Sequence, residues 1–134
     1  MVGMTIDKVA WIYLDGGKIL STRSRGKDAY YLPGGKREAG ESDVDTLVRE
    51  IDEELAVAIV PGSARYFGTF RAQAHGHAEG VMVRMTCYTA DHQGTPVPSS
   101  EIEEVVWLGY GDRDRVSPVD QVIFDHLREA GRLR

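Results

Sequence analysis

The segment SDVDTLVREIDEELAV, residues 42–57, constrains this chain more than any other stretch. On a helix at about 100° per residue, Val44, Leu47, Val48, Ile51 and Leu55 fall within an arc of roughly 100°. An apolar stripe of that width has to be buried, so the rest of the chain must supply a surface to cover it. Ser42 followed by Asp45 reads as a capping box with aspartate in place of the usual glutamate. These features predict a helix over residues 43–56.

The same helix carries acids where stability alone would not put them. Glu50, Glu53 and Glu54 stand at i, i+3 and i+4 and so share one edge. Like charges at that spacing cost a few tenths of a kcal/mol per pair. The last two also sit near the helix C-terminus, where the macrodipole disfavours anions by about 0.3–1 kcal/mol each. One reading is a solvated acidic face. The other is a set of oxygen ligands for a hard divalent cation such as magnesium. The surroundings favour the second. Pro33-Gly34-Gly35 lies upstream, and glycine lets backbone groups approach a ligand closely. Arg49 can orient a neighbouring acid, and Glu41 adds another at the helix entry.

The remaining elements are mostly extended. Residues 4–14 read as a strand, Asp15-Gly16-Gly17 as a turn, and residues 18–23 as the returning strand. Tyr30–Pro33 is a short extended piece. Residues 64–72 and 80–90 read as strands around a loop at 75–80. In the second, Val81, Val83, Met85 and Cys87 alternate with Met82, Arg84, Thr86 and Tyr88. Residues 91–100 form a loop and 105–108 a strand. Ser117-Pro118 opens a last helix with serine as cap, and Val119, Val122, Ile123 and Leu127 form its apolar face. Strands, helix, strands, helix imply an α/β fold with a mixed sheet covered by helices on both faces.

Length and composition set outer bounds. With 134 residues, the expectation is one domain over 1–134. No apolar run approaches the roughly 18 residues of a membrane span, and the start MVGMTIDKVAWIYL lacks a basic leader and reads as a strand. A single cysteine, Cys87, cannot form an internal disulfide, which fits a cytoplasmic setting; its alternation with apolar residues places it in the core. A net charge of −5 argues against a general nucleic-acid binder. A net-acidic enzyme acting on anions needs a local correction such as a metal ion.

Gly35, five residues, Glu41, seven residues, and then Arg49-Glu50-Ile51-Asp52-Glu53-Glu54-Leu55-Ala56-Val57 resemble the Nudix box. The match covers 23 of 134 residues and departs from the pattern only at Ala56, where the box has glycine. Alanine there strains a left-handed helix exit without removing a ligand. The resemblance implies a Nudix-type α/β/α sandwich that hydrolyses a nucleoside diphosphate linked to another group, with Mg2+ and with Mn2+ as a substitute. It assigns Glu50, Glu53, Glu54 and the Gly35 carbonyl to the metal, Arg49 to orienting a ligating glutamate, and Glu41 to the role of outer ligand or charge partner. Glu53 and Glu54 are expected to be the dominant pair. A general base in such proteins comes from the box or from a loop before the late strand; here Glu101, with Glu103 and Glu104 beside it, reads either as that base or as a solvated loop acid.

Ser117-Pro118-Val119-Asp120-Gln121 resembles the segment that presents a polar side chain to the base in nucleoside triphosphate pyrophosphohydrolases of this family. Asp120 also reads as a first-turn acid favoured by the helix dipole. Tyr30, Tyr31 and Phe70 are stacking or core aromatics, and Arg23, Arg25 and Lys36 are phosphate contacts or solvated charges. His75 and His77 lie in a glycine-bearing loop that, beside an oxygen-rich box, argues against zinc. The leading expectation is hydrolysis of a nucleoside triphosphate to monophosphate and pyrophosphate. Hydrolysis of ADP-ribose or a related nucleotide sugar, or nucleotide sensing without cleavage, are the alternatives. Monomer and homodimer both stay open.

Overall fold

The computed structural model describes residues 4–134; Met1–Gly3, part of the segment read as strand and not leader, lie outside them. The strands are β1 Thr5–Trp11, β2 Leu14–Asp15, β3 Lys18–Ser24, β4 Gly34–Lys36, β5 Ala58–Ile59, β6 Arg65–Gln73, β7 Met82–Thr89, β8 His92–Gln93 and β9 Ile102–Leu108. The helices are α1 Asp43–Leu55 and α2 Pro118–Glu129, with short 3-10 turns at Pro61–Ser63 and Tyr110–Arg115. A mixed sheet runs β4-β1-β7-β6, with β1 parallel to β7 and the outer pairs antiparallel. A second, antiparallel sheet runs β2-β3-β9, and β5 pairs with β8.

The strand expected over 4–14 ends at Trp11. Ile12 still donates to Tyr88, but the Tyr13 carbonyl already accepts from Leu20. The chain leaves one sheet for the other within two residues, and this crossing holds the sheets together. The late strand begins at Ile102, three residues before the expected start. Tyr30 and Tyr31 make only isolated bridges, to Val116 and Thr22.

β1 is buried on both faces because its alternate side chains serve two cores. Val9 and Trp11 pack with Leu47, Ile51 and Leu55 of α1. Ala10 and Ile12 pack on the other side with Met85, Cys87, Ile123, Phe124 and Leu127. Cys87 is fully buried, as its alternation predicts. Val122 of α2 is exposed and Phe124 is buried in its stead. Val122 lies about 130° from the middle of the stripe formed by Val119, Ile123, Phe124 and Leu127, counting 100° per residue. The result is an α/β/α sandwich. Among the described residues, no helix is long and apolar enough to cross a membrane.

Candidate active site

The site begins at the start of α1. Ser42 Oγ accepts from the Asp45 N–H at 3.1 Å, and Asp45 Oδ2 accepts from the Ser42 N–H at 3.2 Å. The aspartate box therefore closes as expected, and it fixes the direction in which α1 leaves the Gly34–Lys36 strand. Arg49 then binds the elements together. Its Nε and Nη2 donate to the two oxygens of Glu41 at 2.7 and 2.8 Å, Nη1 donates to Glu50 at 2.8 Å, and Nη2 also donates to the Lys36 carbonyl at 3.0 Å. The guanidinium beside Glu41 pulls its carboxyl down to about 2. Arg49 is thus committed to holding the loop before the helix, and Glu41 is its main partner.

The three box glutamates are not equivalent. Measured from Val44 at 100° per residue, Glu54, Glu50 and Glu53 stand about 80°, 120° and 180° from the middle of the apolar stripe. Their environments follow that order. Glu54 is 8% exposed, the Glu50 side chain 15% and the Glu53 side chain 51%. Glu54 Oε1 accepts from the Gly34 N–H at 2.9 Å. Burial pushes its carboxyl up to about 8, with Glu50 and Glu101 adding repulsion. Burial also raises Glu50, against the pull of Arg49. Glu53 points away from the cleft, 3.6 Å from Arg49 Nη1. Glu50 and Glu54 line the cleft, and Glu53 of the expected Glu53–Glu54 pair stands on the exposed side of the helix.

A divalent cation fits this end of the site. A Cβ on Gly35 would lie 2.5 Å from Glu50 Oε1 and 2.7 Å from its Oε2, so a side chain here would displace the carboxylate from its place against this backbone. Burial favours the protonated form of both carboxylates, Glu54 has no cation in contact and Glu50 shares Arg49 with Glu41, and every donor is oxygen. As they stand, the acids are not drawn together: among the described residues, no three His, Cys, Asp or Glu groups are gathered closely enough to hold an ion. Glu50 is held by Arg49 and Glu54 by the Gly34 amide.

From this end a cleft of about 360 Å³ runs along the α2 side of β1. Lys36, Glu101, Tyr31, Leu32 and Lys8 line it. Ser100 and the Glu101 backbone hold the Glu101 carboxyl below its usual range. Glu103 and Glu104 lie in β9 instead and pair with Arg23, at 3.4 and 2.5 Å. Arg23 is thereby held off the cleft wall, and Arg25 donates to the Ser100 carbonyl at 2.8 Å. Phe70 packs on Phe67 and His126, away from the cleft. Tyr30 is buried and donates to Glu104 at 2.9 Å. Asp120 has no exposed surface; its Oδ2 accepts from the Leu32 N–H at 3.0 Å. Burial pushes its carboxyl up to about 7, against the opposing pull of the Leu32 amide, Lys8 and Ser117. Ser117 occupies the N-cap position of α2 as expected, but its hydroxyl makes no capping hydrogen bond. His75 closes the cleft from the far side, 2.8 Å from Asp28 Oδ1 and edge-on to Tyr31. Sequence reasoning missed Lys8. The signal was a single charge on the face shared by Ile6 and Ala10.

A sheet between two helices, with a cleft whose closed end is lined by acids and glycine backbone, defines a hydrolase of phosphoanhydride bonds. The NUDIX domain family model matches residues 6–127, and the chain belongs to that family. It is 27% identical over 112 residues to the Nudix hydrolase YvcI of Bacillus subtilis (strain 168), covering 82% of this chain and 71% of that protein. The solution structure of the E. coli ORF135 protein superposes with a TM-score of 0.73 at 26% identity, over 96% of this chain and 94% of that one. The MutT protein of Methanosarcina mazei Go1 shares the fold with a TM-score of 0.76 at 17% identity, over 98% of each chain. Nudix hydrolases act on nucleotide substrates with divalent metal ions.

Proposed function

We propose that this chain, acting as one domain, hydrolyses nucleoside triphosphates to monophosphate and pyrophosphate, with Mg2+ as its ion and Mn2+ as a substitute. The observation that carries this reading is the continuity of one cleft. Oxygen ligands and Lys36 stand at one end, and an aromatic and apolar wall stands at the other. That length suits a phosphate chain and a base laid end to end.

Glu50, Glu54 and the Gly35 carbonyl would hold the ion, with Glu53 able to swing in from the helix surface. When bound, the ion neutralises phosphate charge and makes a coordinated water more acidic. Arg49 keeps Glu50 aimed at the cleft by donating to one of its oxygens. Lys36 offers its ammonium to phosphate oxygens beyond the acids. Glu101 is ionised at neutral pH and reaches the same cleft, so it is the group that takes the proton from the attacking water. Tyr31 provides a face for the base, and Asp120 fixes Leu32 behind it.

Incubation of the protein with a nucleotide panel and Mg2+ in oxygen-18 water tests the reading. Label in one product, with pyrophosphate released from a triphosphate, is the expected outcome. Turnover of ADP-ribose or a nucleotide sugar but of no triphosphate would overturn it, as would nucleotide binding without hydrolysis.

A further inference from the structure

Lys8 sits on the face of β1 that carries Ile6 and Ala10, in register with Met85 on one side and Lys36 on the other. Around it the cleft wall is apolar, made by Ile6, Val83, Met85, Leu32 and Val119. Among the described residues its ammonium has no hydrogen-bond or ion-pair partner; its one specific contact is a cation–π approach to Tyr31, 5.4 Å from the ring centre. Burial holds this lysine below its usual range, and Asp120 is the charge that opposes the effect most. Asp120 itself cannot reach a ligand, because it has no exposed surface and bonds the Leu32 amide. A half-buried ammonium without a hydrogen-bond partner gives up part of its hydration with only the Tyr31 ring face and distant carboxylates in return. It is tolerated where a ligand supplies the missing acceptor.

Building on the nucleotide reading above, we propose that Lys8 is the residue that reads the base, selecting 6-oxo purines and 4-oxo pyrimidines over their amino counterparts. An ammonium has three donors and no acceptor. A ring packed against Tyr31 and the apolar wall brings an edge to Nζ. A carbonyl oxygen at that edge accepts from it, and in purines it lies next to the ring N7, a second acceptor. An exocyclic amino group at the same position opposes donor to donor and leaves only the neighbouring ring nitrogen, N7 in adenine or N3 in cytosine, to accept. Asp120 acts behind the wall as a counter-charge and positioning residue.

Inosine and adenosine monophosphates, and uridine and cytidine monophosphates, form two pairs that differ in this exocyclic group and in the proton on the ring nitrogen beside it. Calorimetric titration of each into the metal-free protein at fixed pH isolates base reading from turnover. The wild type is expected to bind the oxo member of each pair about ten- to a hundredfold more tightly, as for one charge-assisted hydrogen bond. Lys8→Met should bring each pair within about threefold, weakening only the oxo members. Lys8→Gln, whose amide presents either a donor or an acceptor, should remove the preference too, and it serves if the methionine variant does not fold. A wild type without the preference, or without binding to any of the four, would overturn the proposal. So would a preference retained in either variant. An equal loss across all four in the variants would place Lys8 on the phosphate and also overturn it. Hydrolysis of triphosphates with Mg2+ is scored separately, so the nucleotide reading survives or fails independently.

Discussion

Asp120 and Glu41 show how the surroundings of one carboxylate set the direction of its pH response. The folded protein holds Asp120 at about 7, above its usual 3.8, because burial penalises the charge. Its contribution to stability is therefore full below about pH 4 and is lost as pH rises through 7. Glu41 is held at about 2, below its usual 4.5, by Arg49. Its contribution is present above about pH 4.5 and is lost as pH falls through 2. Urea midpoints measured across pH should accordingly separate the two. Asp120→Asn should reduce the decline between pH 4 and 7, leaving the part due to Glu50 and Glu54, and should leave the acid limb, whereas Glu41→Gln should soften the acid limb alone; identical profiles for wild type and variants would refute both assignments. The sequence offered Arg49 as a partner for a neighbouring acid and Glu41 as an acid at the helix entry, but it did not name the two as a pair, because they stand eight residues apart across the helix start. The burial of Asp120 was not legible, because a first-turn aspartate looks the same in sequence whether its helix end faces water or the Leu32 backbone.

At the scale of an element, α1 carries most of what the sequence disclosed. Its stripe, its aspartate capping box and its acid edge are all local, set by spacings of three and four residues. The unequal exposure of Glu50, Glu53 and Glu54 was implicit in the same spacing, since the stripe's centre fixes how far each acid lies from the core. Treating the three as one edge hid that gradient. The helix exit is likewise explained by local geometry. Ala56 adopts φ 55° and ψ 38°, and its N–H still bonds Asp52 at 3.0 Å. A left-handed alanine is strained by about 1–2 kcal/mol relative to a glycine there, partly offset by the greater freedom of glycine in the unfolded chain. Ala56→Gly should thus raise unfolding free energy by up to about 1 kcal/mol. A higher urea midpoint with an unchanged slope is the expected result. A lower midpoint would mean that the exit is not strained.

Across the whole molecule, the sequence showed elements but not their pairing. The β1–β7 parallel contact and the β3–β9 contact join residues more than 70 positions apart, and nothing in either strand alone names its partner. The break after Trp11, which divides the strands between two sheets, was hidden for the same reason. That arrangement matters for function because it opens the cleft at the edge of β1, where β4 is only three residues long and glycine-rich. The acids of α1 reach around this short strand instead of being covered by it. Glu54 is consequently buried with one backbone donor and no cation of its own, a placement that weakens the fold unless an ion arrives. Binding to the native state alone stabilises it by mass action, by about 2.7 kcal/mol at a hundred times the dissociation constant. Adding Mg2+ to the wild type should therefore raise its melting temperature in step with ion concentration. Glu54→Gln should melt no lower than the ion-free wild type, since it removes a poorly matched charge and retains an amide oxygen for the Gly34 N–H. It should also lose both the Mg2+-dependent rise and the turnover. A Glu54→Gln protein that keeps the rise would move the ion elsewhere in the molecule. One that melts well below the wild type would make Glu54 a structural carboxylate first and a ligand only second.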